Sequence, residues 1–280
     1  MKSSNKEIVV YWAPIWDLME EPMDWNMLYY EPEQLYSAIQ TDKVQQIGDA
    51  KLRDTLKKKN KVNVMPHHNL FRCPAVQNIT KNTFVLRNPI ETYIRIEDIN
   101  YDIPPALSSE RGLGCDNDRI RYLSPNWIAC DIVHQSNLID CDLFVYGMRW
   151  IFFTEEDALN YQFSSPWFSN TPHLKYGSVI PGKFDCGKWF RSINPEFNLW
   201  PGTGEFRILE DEPIGYVQFE TEHDVKLVRF QMNEALTKYS RTTAMSSSWH
   251  TNVPLIKRYK RFKETNMKKM ILKEIKGNIV

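Results

Sequence analysis

Neither sign of charge is in excess in this 280-residue chain: 35 Lys and Arg stand against 35 Asp and Glu, a formal net charge of zero. A neutral chain has no global field to steer it to nucleic acid or to an anionic membrane. No window approaches the roughly 20 apolar residues that a membrane span requires. The apolar run ahead of Pro14 is too short for a signal peptide. Cys73, Cys115, Cys130, Cys141 and Cys186 are scattered, with no CxxC pair and no even framework, a pattern that favours reduced thiols in a cytosolic setting. These absences lead to the expectation of a soluble intracellular protein with no membrane association.

Complete catalytic motifs are also missing. The chain has no GxSxG, and no cysteine sits in a recognisably electropositive context. None of the six histidines (His67, His68, His134, His173, His223, His250) has an acid two residues on, so a facial-triad metal site has no signature. His67 and His68 are adjacent and would point to opposite faces of a regular strand. His223-Asp224 reads as a solvated corner. The glycines of Gly112-Leu113-Gly114 and Gly202-Thr203-Gly204 do not lie between a strand and a helix, where a phosphate-cradling loop belongs. The second reads instead as a hairpin tip between FNLW and EFRIL. No metal and no cofactor are implied.

Aromatic side chains are plentiful, at 13% of the chain with nine Trp. Such rings bury large areas each and are expected to fill the space between sheet layers. Residues 177–219 alternate short apolar runs with Pro, Gly and Asn and close on an acidic turn, Pro213 and IGYVQF. That is the grammar of a β-hairpin series whose last strand returns to the core.

Upstream, EIVVYW reads as a strand stopped by Pro14, EQLYSAIQ as one or two helical turns, and residues 49–60 as a helix with a basic last turn. VNVM and, after Cys73-Pro74, NTFVLRNPIETYIRIED read as strands. Thr92, Ile94 and Ile96 alternate with Tyr93, Arg95 and Glu97 as in a half-buried strand. Residues 98–126 lack periodicity and read as an excursion. CDLFVYGMRWIFFTEE restarts sheet, and helical character begins near Asn233 with ALTKYSRTTAM. After the polar loop SSSWHTN, a terminal helix runs from Pro254 in its first turn to Gly277. The predicted fold is α+β, mainly antiparallel β in a β-clip or jelly-roll-like sandwich, with C-terminal helices. Its regions are a mixed 1–70, a β-rich core 71–232 and a helical 233–280.

Charge is segregated along the chain. Residues 8–33 hold six acids and no Lys or Arg, while 254–276 is rich in both. In the tail, Leu255, Ile256, Tyr259, Phe262, Met267, Met270, Ile271 and Ile275 form an apolar stripe among lysines and arginines. The stripe fits docking on the sheets, with the acidic 17–33 stretch as an intramolecular partner. The cationic remainder also fits an acidic protein or nucleic acid.

The pattern around Asp185, Glu212, Pro213, Ile214 and Gln218 resembles the closing half of the β-clip of dUTPases and dCTP deaminases, where an essential aspartate turn precedes the closing strands. The turn here lacks the aromatic-Arg-Gly continuation of that family. The resemblance is to the strand grammar of residues 177–219 and not to an active site. An auxiliary enzyme with a clip or jelly-roll pocket would use Asp185 to activate water, Arg191 to contact an anion and Trp189 to stack on a nucleotide or small polar ligand, with Trp167 a further candidate ligand contact. A broader similarity, carried by CPAVQNITKNTFVLRNP, PGKFDCGKWFRSINPEF, EDEPIGYVQF and PLIKRYKRFK, is to proteins of tailed phages, especially marine myoviruses. It implies a viral protein of the host cytoplasm or the virion, able to bind a protein partner or self-associate, and brings no activity with it. Three readings follow: a non-catalytic binding or structural protein, an auxiliary enzyme, and a binding module acting through the basic tail.

Overall fold

Strand β1 (Glu7–Ile15) buries both of its faces, and this sets the layering of the protein. Ile8, Val10 and Trp12 enter the main core, while Tyr11, Ala13 and Ile15 enter a second one. The structure is a computed structural model and describes residues 6–15, 29–37, 73–96, 120–124, 130–135, 141–243 and 255–280. The helix read at 49–60, the VNVM strand, His67-His68, the glycines at 112–114, SSSWHTN, Pro254, residues 17–28 of the acidic stretch and most of the 98–126 excursion lie outside the described residues.

Two-residue β2 (Glu33–Gln34) is followed by helix α1 (Pro74–Thr80). Then come β3 (Thr83–Arg87), β4 (Thr92–Ile96), β5 (Ile120–Ser124), β6 (Cys130–Gln135), β7 (Cys141–Tyr146) and β8 (Arg149–Thr154). After β9 (Asn160–Ser164) a 3-10 turn at Pro172–Lys175 leads to β10 (Gly177–Val179), β11 (Gly182–Asp185) and β12 (Ser192–Ile193). Strands β13 (Glu196–Leu199), β14 (Glu205–Ile208), β15 (Pro213–Phe219) and β16 (Asp224–Arg229) complete the β region. Helices α2 (Glu234–Thr243), α3 (Leu255–Glu264) and α4 (Met267–Gly277) close the chain.

The strands form four sheets, in the orders β12-β8-β1-β16, β11-β9-β15-β3-β2, β10-β13-β7-β6 and β14-β4-β5. Pairing among the described strands is antiparallel except between β1 and β16. The α+β, mainly antiparallel class read from the sequence is therefore observed. All four sheets contribute to the main core, through residues such as Trp150, Phe152, Phe219, Phe197 and Phe206. Trp12 and Trp150 are fully buried there, as the aromatic content leads one to expect, while Trp167 and Trp200 stay exposed.

The second core lies on the other face of the first sheet. Tyr11, Ile151 and Phe153 meet Phe190, Phe230, Leu236 of α2, Phe262 of α3, and Ile271 and Ile275 of α4. The apolar stripe of the tail thus docks on the chain's own sheet. Its acidic counterpart among the described residues is the turn at 155–157. Lys276 pairs with Glu155 at 2.7 Å, and Lys268 Nζ donates to the Glu156 carbonyl at 2.7 Å.

Several local expectations are corrected. Pro14 does not stop β1; it sits opposite Trp150 in the register, beyond Trp12, the last β1 residue paired with β16, so no described strand pairs with its other side there and the missing N–H is tolerated. Residues 74–80, ahead of the strand read from NTFVL, add a short helix with Pro74 in its first turn. Residues 120–124 of the expected excursion are strand β5, paired with β4. EQLYSAIQ opens as β2 before the helical residues 35–37. The tail is two helices, broken at Thr265 and Asn266, where the Thr265 hydroxyl donates to the Phe262 carbonyl.

The hairpin expected at 202–204 is absent. Gly202 turns at φ +79°, but β13 and β14 enter different sheets. The same holds for β10 and β11 and for β15 and β16, so the 177–219 grammar marks strands that swap sheets.

Candidate functional site

The conformation of the aspartate turn settles what Asp185 can reach. Its Oδ1 accepts from the backbone N–H of Gly187 at 3.0 Å and of Leu159 at 3.2 Å, and Oδ2 accepts from Lys188 Nζ at 2.6 Å. Gly187 is required here, because a Cβ would run into the Glu156 carbonyl. Asp185 is therefore a bracket that ties the turn after β11 to the 155–159 segment, and its carboxylate is 13% exposed. Buried Cys186 donates its thiol to the Leu159 carbonyl at 3.3 Å, and burial pushes that thiol well above its usual value.

The other sequence candidates do not gather around it into one site. Trp189 stacks on Tyr259 of α3 at 4.1 Å and 8°, so the docked tail occupies one of its faces. Arg191, half-buried, makes no hydrogen bond or ion pair with another described residue. Trp167 is 45% exposed and packs edge-on against Tyr216 at 5.3 Å, on the second sheet. No group of three or more His, Cys, Asp or Glu able to hold a metal occurs among the described residues.

An open cleft of about 200 Å3 is formed elsewhere, by Tyr93, Pro172, Lys175, Tyr176, Glu205, Arg207 and Leu209. Its floor follows from register: β4 and β14 pair with Tyr93 opposite Arg207 and Arg95 opposite Glu205. Ile94, Ile96, Phe206 and Ile208 alternate with these residues and fill the core. Period-2 alternation thus puts the ring and the charges on the outer face. The 3-10 turn supplies the opposite wall.

Glu205 is the hub of the cleft. It accepts from the Tyr93 hydroxyl at 2.8 Å and from the Tyr176 hydroxyl at 3.1 Å, and these donors hold its carboxyl below the usual value. The carboxylate in turn raises the Tyr93 phenol. Lys175 Nζ lies 4.4 Å from the Tyr176 ring centroid, and the Arg207 guanidinium lies 5.6 Å from that of Tyr93. Such cation–ring contacts are weakly favourable at exposed sites. Arg207 is also held by Glu91 at 2.8 Å, which raises its pKa.

A buried polar cluster fixes the two sides of the cleft relative to each other. Glu212 Oε1 accepts from both the backbone N–H and Nδ1 of His173, at 2.9 and 2.8 Å, and Oε2 accepts from Leu209 N–H at 2.7 Å. Burial opposes ionisation of Glu212, but these donors prevail and lower its pKa. Asn88 joins the same turn by donating to the Leu209 carbonyl at 3.0 Å and accepting from the Tyr146 hydroxyl at 2.8 Å.

None of the cleft residues was singled out from the sequence as a site. The available signal was a tyrosine and charges at the outward positions of two alternating strands. Comparison of the chain with protein-family models, with curated proteins and with solved structures finds no match.

Proposed function

We propose that this chain is a non-catalytic binding protein that takes a small polar, hydroxyl-bearing ligand in the cleft between β14 and the 3-10 turn. One observation carries the reading: Glu205 is clamped by two tyrosine hydroxyls at an open surface, flanked by Lys175 and Arg207. A carboxylate retains acceptor sites after two hydrogen bonds, and both cations donate, so hydroxyl groups find partners of either kind. The volume is below the roughly 300–1,000 Å3 of drug-sized pockets, which suits one ring or one terminal unit of a longer ligand. A β-clip or jelly-roll-like arrangement is part of this proposal, supported by consecutive strands that alternate between sheets. The resemblance to tailed-phage proteins supports a setting in an infected bacterium or its virions, with a protein partner as a second ligand.

The enzyme reading needs Asp185 as a water-activating base. The three donors on its carboxylate favour the binding reading instead. Ligand-observed NMR with a panel of monosaccharides, uronic acids and nucleoside monophosphates tests the proposal. A panel member is expected to bind, and Glu205→Gln to weaken it about 10-fold or more, since hydrogen bonds to a charged group are stronger than those to a neutral one. Binding that Glu205→Gln leaves unchanged, or a panel with no binder, overturns it.

A further inference from the structure

Docking of the C-terminal helices consumes their apolar side and leaves a cationic one facing solvent. Phe262 of α3 and Ile271 and Ile275 of α4 are buried against the first sheet. At 3.6 residues per turn, Lys257 and Lys260 fall on the side of α3 opposite Phe262, with Arg261 and Lys263 at its flanks, and all four are exposed. Lys269 and Lys273 occupy the corresponding outer row of α4 and are exposed as well. Lys257, Arg261, Lys263, Lys269 and Lys273 make no ion pair with another described residue. Lys260 approaches only Glu264, at 3.9 Å. The chain's own acidic turn takes Lys268 and Lys276 and leaves this row unneutralised.

We infer that this outer face of α3 and α4 is a binding surface for the phosphate backbone of duplex nucleic acid, read without regard to sequence. Charge decides the class of partner. Protein interfaces are depleted in lysine and organised around aromatic or aliphatic anchors, whereas five of these six cations are lysines and, among the side chains described from Lys257 to Gly277, Met270 is the one large apolar one that is exposed. Lysine is a point charge suited to phosphate, without the planar fork by which arginine reads base edges. Single strands call for open stacking platforms, but the Tyr259 ring of α3 is stacked on Trp189. The surface is separate from the cleft, so its failure leaves the ligand proposal standing.

The test is fluorescence anisotropy of a labelled 20-base-pair DNA duplex titrated with the full chain between 50 and 200 mM NaCl. Contacts to about three to five phosphates give a log–log salt slope of about −2.7 to −4.5, a loss of affinity of about 40- to 500-fold over that range. The variant Lys257→Gln/Lys260→Gln/Arg261→Gln/Lys263→Gln is expected to bind at least about 10-fold more weakly at 50 mM, with a slope shallower by about 0.9 per contact removed. Lys269→Gln/Lys273→Gln should shift both quantities in the same direction by less, and it gives a second readout should the first variant fold poorly. No binding at 50 mM NaCl, variants that bind as the parent does, or tighter binding to polyglutamate of equal charge than to the duplex would each overturn the inference.

Discussion

Glu212 offers the sharpest test of how the cleft is held open. Its carboxylate is 3% exposed and accepts three N–H donors, two from His173 and one from Leu209. Removing one partner of a buried, hydrogen-bonded pair costs about 3–5 kcal/mol, so Glu212→Ala should destabilise the fold by that amount. Glu212→Gln keeps one carbonyl acceptor but sets an amide N–H against a backbone N–H. With one buried donor left unsatisfied, it should cost about 1–3 kcal/mol. In a domain of this size each kcal/mol moves the melting temperature by about 2–4 °C. The Ala variant should therefore melt roughly 6–20 °C lower, and equilibrium urea unfolding gives the free energies directly. The pH dependence has a fixed sign. Because the folded-state pKa lies below the ordinary 4.5, the stabilisation is complete above that value and is lost as pH falls through the folded pKa. Glu212→Gln should flatten that acid limb. A change below about 1 kcal/mol in Glu212→Ala, set against the few kcal/mol expected of such a pair, or superimposable acid limbs for Glu212→Gln and the parent, would refute this reasoning.

Phe262→Ala removes a buried ring that meets Phe153 edge-on at 6.3 Å, and it should cost about 3–5 kcal/mol by chemical unfolding. The exposed control Lys260→Gln should change stability by less than about 0.5 kcal/mol, and equal effects would show that the helices are not part of the core. Deleting residues 254–280 should abolish cooperative folding, measured by calorimetry. A folded, cooperatively melting remainder would contradict the second core. Cys186 should resist alkylation under native conditions, and exposed Cys73 should react, as read by peptide mass spectrometry; labelling of Cys186 at the rate of Cys73 would count against its burial.

The sequence was legible wherever one face of an element meets water. The alternation at 92–96 is observed as β4, since only Thr92, Ile94 and Ile96 turn inward. The apolar stripe of the tail was visible for the same reason, although the break at Thr265 and Asn266 was not, because lysine-rich helix formers surround it on both sides. β1 runs past the local stop signal of Pro14 because both of its faces are buried and β16 no longer pairs with it beyond Trp12. Turn chemistry located the bend at Gly202 but says nothing about which sheet the next strand joins, and there the hairpin expectation failed. The cleft was illegible for a related reason. Tyr93 and Glu205 are 112 residues apart and meet only through the pairing of β4 with β14, a contact that no local motif encodes. Asp185, by contrast, sat in a local pattern that resembles a catalytic turn, and its contacts show a carboxylate engaged by the backbone.

A direct comparison of Asp185 with Glu205 tests the central claim. The parent, Asp185→Asn and Glu205→Gln are each incubated with the monosaccharide and nucleotide panel, with binding followed by ligand-observed NMR and turnover by the appearance of product signals in the same spectra. The account predicts no product in any sample, binding by the parent and by folded Asp185→Asn, and binding weakened about 10-fold or more in Glu205→Gln. Product formed by the parent and abolished by Asp185→Asn would contradict it.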